Sequence, residues 1–228
     1  MKIGIYGGSF NPVHRGHVGV AEKALADLSL DRLLVIPTSA NPFKLGAGLF
    51  LEPSQRLLLV RAAFNGIEKV VVDDRELRRG GISYSIDTVR EIAAENPGAE
   101  IFFIVGEDSV PGLPRWKDAE ELGRLCTFKA YPRTRESSTE IRARLERGES
   151  VDGLVPETVA LFLKHKVAYN EDASLVETVL KGLARKGGHC PCRLPLTPEF
   201  FCPCTEFRGQ LEDPGFHGLC HCRLYRKP

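Results

Sequence analysis

Surplus charge of either sign is missing from this chain: 31 Lys and Arg face 30 Asp and Glu across 228 residues, a net charge of +1. No electrostatic footprint for nucleic acid or an anionic membrane is therefore expected, and small-molecule ligands are favoured. Apolar runs of about 18 residues are lacking, and the opening MKIGIYGG has one lysine but no apolar core of signal length. Neither a membrane span nor a leader is expected, which makes the cytoplasm the expected location. Internal repeats and low-complexity tracts are absent too, excluding solenoids and disordered arrays. Cysteine is scarce until late: only Cys126 precedes residue 190, and a lone thiol of that kind is expected to act as a small buried hydrophobe.

What is present begins with 43% hydrophobic residues, enough for one good core. KIGIY, RLLVIP, KVVVD, EIFFIVG and CTFKAY read as strands buried on both faces. Helices are expected near 15–28, 54–65, 85–95 and 117–124, then over SSTEIRARLERG and PETVALFLKHK, with Gly148 as a stop and Pro156 at a start. Strand and helix alternation implies a parallel sheet with helices on both faces and ligands at the carboxyl ends of the strands. After Tyr169, NEDASLVETVLKGLARKGG reads as one capped helix ending at paired glycines, so a boundary is expected near 168–172.

The stretch GGSFNPVHRGH at 7–17 follows the first strand directly. Gly7 and Gly8 let backbone approach a phosphate without a Cβ in the way, and His14 and His17, three apart where a helix starts, face one turn. Helix start plus two imidazoles make an anion site. The pattern differs from G-x-G-x-x-G and from the Walker loop, so hydride transfer and P-loop hydrolysis lose support.

These residues resemble the signature of the HxGH nucleotidyltransferases, and among them the nicotinate-mononucleotide adenylyltransferases. NPFK at 41–44, ELRRGGISYSIDT at 76–88, IVGEDS at 104–109, LPRWK at 113–117 and SSTEIR at 137–142 follow in that family's order. The resemblance covers residues 1–168 and implies a Rossmann-like α/β domain that moves AMP from ATP to nicotinate mononucleotide with Mg²⁺ assisting. It implies that Gly7, Gly8, Ser9, Phe10, His14, His17 and Lys44 serve the ATP phosphates, and that Gly106 and Asp108 hold the nucleoside side. Ser138, Thr139 and Arg142 would meet the triphosphate, Trp116 would stack on the nicotinate ring, and Ser85 would face its carboxylate. Read locally, Ser137 and Glu140 also fit a capping box. Phe43 stands where the family commonly has a histidine. Only TRE separates the CTFKAYPR strand from the SSTEIR helix, a span of roughly 10 Å at about 3.3 Å per residue, too short for the extra strand the family carries there. A different HxGH substrate such as phosphopantetheine is the weaker alternative.

Six of the seven cysteines lie between 190 and 222 as C-x-C, nine residues, C-x-C, fifteen residues, C-x-C. Zinc hooks ordinarily use C-x₂₋₄-C, and six thiols exceed the four that one zinc ion or one cubane takes. Four ligands plus one dithiol is the simplest division; a zinc-stabilised knot and an all-disulfide module stay open. CPCR, CPC and CHCRLY, with the helix before them, resemble the catalytic chain of ferredoxin-thioredoxin reductase over residues 169–228. That resemblance implies a small, mainly helical iron-sulfur domain in which Cys190, Cys202, Cys204 and Cys220 bind a 4Fe–4S cluster. Cys192 and Cys222 would form the redox-active pair, with His221 exchanging protons beside it. Ferredoxin or another one-electron donor and a thioredoxin-like protein would be the partners. For the whole chain, two classes stand: a bifunctional enzyme, or a nucleotide-binding sensor attached to a redox or zinc-binding module.

Overall fold

A computed structural model describes residues 1–44 and 50–228, with the side chain of Lys44 outside the described part. Five parallel strands, β1 (Lys2–Gly8), β2 (Arg32–Pro37), β3 (Val70–Val72), β4 (Glu100–Gly106) and β5 (Thr127–Tyr131), form one sheet in the order β3-β2-β1-β4-β5. The chain winds outward from β1 through β2 to β3, then returns to β4 on the other side. Strand order thus reverses between β1 and β4, where an open parallel sheet leaves a crevice at its carboxyl edge.

Period-2 geometry sends alternate residues of β1, β2 and β4 to opposite cores. Ile3, Ile5, Leu34, Ile36, Ile101, Phe103 and Val105 pack under α4 (Ser85–Glu95) and α5 (Ala119–Leu125), through Ile86, Val89, Ile92 and Leu122. Tyr6, Leu33, Val35, Phe102 and Ile104 face α1 (Arg15–Asp27), α2 (Pro53–Phe64), α6 (Ser138–Glu146) and α7 (Glu157–Lys164). Each fully buried Leu, Ile or Phe contributes about 1.5–3 kcal/mol. All five expected strands form, but β3 and β5 are sheet edges rather than strands covered on both faces; Val71 is 41% exposed. A five-residue helix, α3 (Arg75–Arg79), was not expected. No strand stands between β5 and α6, as the short TRE connection requires. Cys126 is buried, its Sγ 3.2 Å from Leu122 O, and burial pushes its thiol up to about 12.

Ser137 does sit at the N-cap of α6, but its side chain makes no capping hydrogen bond, and Glu140 pairs with Arg144 instead at 2.9 Å. The capping box is therefore not formed. Gly148 does stop the helix, at φ 71°, and Pro156 is the N-cap of α7.

Beyond α7 come β6 (Ala168–Tyr169), α8 (Ala173–Arg185), α9 (Thr205–Glu212), β7 (Gly218–Leu219) and β8 (Tyr225–Lys227). Asp172 caps α8 by accepting from Leu175 N at 3.0 Å, and Gly187 and Gly188 follow its end with φ 55° and 90°. The region is mainly helical, as expected, with 13 residues in α8 and 8 in α9, but β6, β8 and β7 add a short antiparallel sheet that was not expected. Val179, Leu183, Phe207, Leu211, Leu224 and Tyr225 join the same core as α2 and α7; the Tyr225 ring lies 4.9 Å from that of Phe162. Among the described helices none is long and apolar enough to cross a membrane.

Candidate functional sites

Two groups of chemistry-bearing residues stand out, one at the sheet's carboxyl edge and one among the cysteines. At the edge, a cavity of about 490 Å³ opens where β1 and β4 part. Gly7 and Gly8 of β1, Ser9 just beyond it and Gly106 of β4 line it, together with Ser85 and Trp116. Residues separated by up to 109 positions are thereby brought to one space, large enough for a nucleotide-sized ligand. Trp116 is half-buried, in T-shaped contact with Phe103 at 5.7 Å and Phe128 at 6.0 Å, and it also lines the cavity. A Cβ at Gly106 would meet the Asp108 carboxylate, which would have to swing aside to admit it.

After β1 the chain passes Phe10, at φ 44°, into His14, the extended N-cap of α1. The His14 and His17 rings stack with centroids 3.6 Å apart. His14 N donates to His17 Nδ1 at 3.1 Å. An acceptor nitrogen cannot carry the proton, so His17 is held as the tautomer with hydrogen on Nε2, a donor suited to an anion. His14 is 7% exposed, its Nδ1 is buried without a hydrogen-bond partner, and burial lowers its pKa to about 4, Glu136 opposing and Arg133 adding to the shift. Two stacked imidazoles of which one stays neutral avoid the repulsion of paired cations.

Helix α6 meets this loop directly. Ser138 Oγ donates to Pro12 O at 2.9 Å, and Arg142 donates to Asn11 O at 2.8 Å and to Thr139 Oγ1 at 3.1 Å. Their hydrogen bonds hold the loop that carries His14. Phe10, His14, His17, Asp108, Ser138, Thr139 and Arg142 are not among the residues that wall the cavity. Phe43 lines it and is 58% exposed.

Arg56, in the first turns of α2, went unrecognised in the sequence. It is fully buried, and its guanidinium donates to Ser9 O and Thr38 O at 2.8 Å each and to Ser39 O at 3.3 Å. One side chain thus fixes the spacing between the loops after β1 and β2. SQRLLL gives no sign of this, because a helical arginine ordinarily faces water.

At the second group, Cys190, Cys202, Cys204 and Cys220 are buried, whereas Cys192 is exposed and Cys222 half-buried. Cys190 and Cys192 bring their sulfurs to 3.0 Å, Cys220 and Cys222 to 3.6 Å. The Sγ atoms of Cys190, Cys192 and Cys222 all lie within 4.8 Å of one another. This trio cuts across the expected division, joining one expected ligand to both expected exchange thiols. Hydrogen bonds with Cys222 pull the Cys190 thiol down to about 5 and Cys220 to about 7, and push Cys222 up; burial raises Cys192 to about 11. Burial likewise raises Cys202 and Cys204. His221 is exposed beside Cys222.

The family described as cytidylyltransferase-like matches residues 5–172. A protein of Gemmatimonas aurantiaca described as a probable nicotinate-nucleotide adenylyltransferase is 38% identical over 75% of this chain and 93% of its own. One of Synechococcus sp. with the same description is 34% identical over 88% of this chain and 91% of its own. The crystal structure assigned as a nicotinate-nucleotide adenylyltransferase from Vibrio parahaemolyticus superposes with a TM-score of 0.61 at 27% identity, covering 72% of this chain and 99% of that one. The cysteines from 190 onward lie beyond the span matched by the family.

Proposed function

The chain belongs to the cytidylyltransferase-like family, and from that premise we propose that it is a nicotinate-nucleotide adenylyltransferase of NAD biosynthesis carrying a second, cysteine-based redox site. A phosphate oxygen of nicotinate mononucleotide attacks the α-phosphorus of ATP. The bond to the bridging oxygen breaks, and pyrophosphate leaves beside nicotinate adenine dinucleotide. Because the attacking oxygen belongs to the substrate, the protein's part is positioning and charge stabilisation. The single observation that carries this reading is the cavity that joins Gly7, Gly8 and Ser9 to Ser85 and Trp116.

His17, with its proton on Nε2, is a donor for phosphate oxygen, and neutral His14 stacks against it and holds its ring. Trp116 presents a face to the nicotinate ring and Ser85 the first residue of α4 to its carboxylate. Lys44 belongs to the same proposal through its sequence position. Among the described residues the only metal-spaced group is the cysteine trio, so Mg²⁺ would arrive on the triphosphate, whose oxygens suit a hard cation. Pyrophosphate release from ATP and nicotinate mononucleotide tests the reading; ATP binding in a calorimeter without product would support a sensor instead.

For the second site, Cys190, Cys202, Cys204 and Cys220 would hold a 4Fe–4S cluster, which when bound supplies single electrons to disulfide chemistry. Burial of these four sulfurs, with Cys192 and Cys222 nearer solvent, supports that division. The four are not within 4.8 Å of one another as a set. One outer thiol attacks a partner disulfide, expelling one partner thiolate, and the second resolves the mixed disulfide, with His221 exchanging the proton. A one-electron donor such as ferredoxin and a thioredoxin-like target fit that chemistry. Zinc at the Cys190, Cys192 and Cys222 trio is the competing reading. Iron and acid-labile sulfide in anaerobically purified protein support the cluster; zinc alone overturns it.

A further inference from the structure

Helix α2 touches both sites, one with each end. Near its start, Arg56 grips Ser9 O, Thr38 O and Ser39 O, the backbone of the two loops at the nucleotide cavity. Its C-cap is Asn65. The Asn65 amide donates to Gly188 O at 3.2 Å and to Cys202 O at 3.0 Å, bridging the two segments that carry Cys190 and Cys202. Those segments are themselves paired by Cys202 N to Gly188 O at 3.0 Å and Cys190 N to Phe200 O at 2.7 Å. Packing tightens the same joint: Gly66, at φ 76°, lies so close to the Phe201 ring that a Cβ would overlap it, and Gly188 is crowded by Phe201 and Asn65. Between these ends Leu58, Leu59 and Val60 are buried in the core shared with the cysteine region, so α2 cannot slide without disturbing both.

We propose that α2 is a mechanical link through which ATP at the nucleotide loops and the arrangement of the cysteine loops influence each other, with Asn65 as the residue that makes the connection. This rests on the proposed reading that ATP occupies the cavity lined by Ser9 and Thr38, and it does not require the cysteines to hold any particular metal. Reciprocity is then obligatory: whatever ATP does to the cysteine loops, their state does to ATP affinity by the same factor.

The test is hydrogen exchange on the full chain, as purified, with and without saturating ATP, in wild type and in Asn65→Ala, with metal content measured on each sample. In wild type, ATP is expected to slow exchange of the Cys190 and Cys202 amides about fivefold or more, the lower end of ordinary coupling. In Asn65→Ala the change should fall below about twofold while calorimetry still shows ATP binding. Unaltered exchange in wild type that binds ATP overturns the link, and iron in that sample leaves the cluster reading standing. A response that persists undiminished in Asn65→Ala overturns the role of Asn65. Failure to bind ATP at all overturns the nucleotide reading and this inference with it.

Discussion

The nucleotide cavity and the cysteine cluster are built by opposite means. Around the cavity, five parallel strands with buried apolar residues on both sides of the central three set positions first, and the chemistry rests on their ends. Around the cysteines the strands are only two or three residues long, and Cys202, Cys204 and Cys220 are themselves part of the core. In the first region the fold holds the site; in the second the site is expected to hold the fold, as small modules with little core of their own commonly need a metal.

The contrast is sharpest under removal of the sulfur ligands. On the proposed cluster reading, Cys202→Ser with Cys204→Ser should abolish metal binding and lower the melting temperature of the C-terminal region by more than about 10 °C, since structural metal binding is folding free energy. Metal analysis and a thermal scan check it, and pyrophosphate release should survive at temperatures below the new transition. The complementary change, His17→Ala, should cut kcat about 10²- to 10³-fold, the usual loss for a transition-state donor, without altering metal content or melting by more than a few degrees. Equal damage to both sites by either variant would erase the distinction.

A smaller effect comes from His14. Its pKa is lowered to about 4 from an ordinary 6.5, so the unfolded chain takes up a proton that the folded chain refuses. Stability from this group is complete above about pH 6.5 and is lost as pH falls toward 4, on the order of 1–2 kcal/mol after allowance for solvent screening. Denaturation in urea across that range should show the slope, and His14→Gln should flatten it.

The sheet, its helices and the glycine turn after β1 were legible because long periodic segments and glycine pairs leave strong local patterns, whereas Ser85 and Trp116 were reached through the family resemblance. Helix α3 and strands β6 to β8 left none, being too short for a period to register. The capping box over Ser137 and Glu140 failed for a different reason: Glu140 pairs with Arg144 along the same helix. Arg56 and Asn65 were illegible in principle, since their partners are backbone oxygens up to 137 positions away, and backbone carries no sequence signal. The division of the cysteines into a named four and a named two was implied by the resemblance alone, and the close approach of Cys190 to Cys192 and Cys222 could not have been read from spacing at all.

Arg56 grips main-chain oxygens of Ser9, Thr38 and Ser39 and, among the described residues, no side chain of either loop. Such a clamp is blind to what those residues are, so the side chains that greet an incoming ligand can be exchanged by mutation while the gap between the loops stays constant. Preference for one nucleotide over another is therefore free to drift on this scaffold without loosening the cradle beneath it.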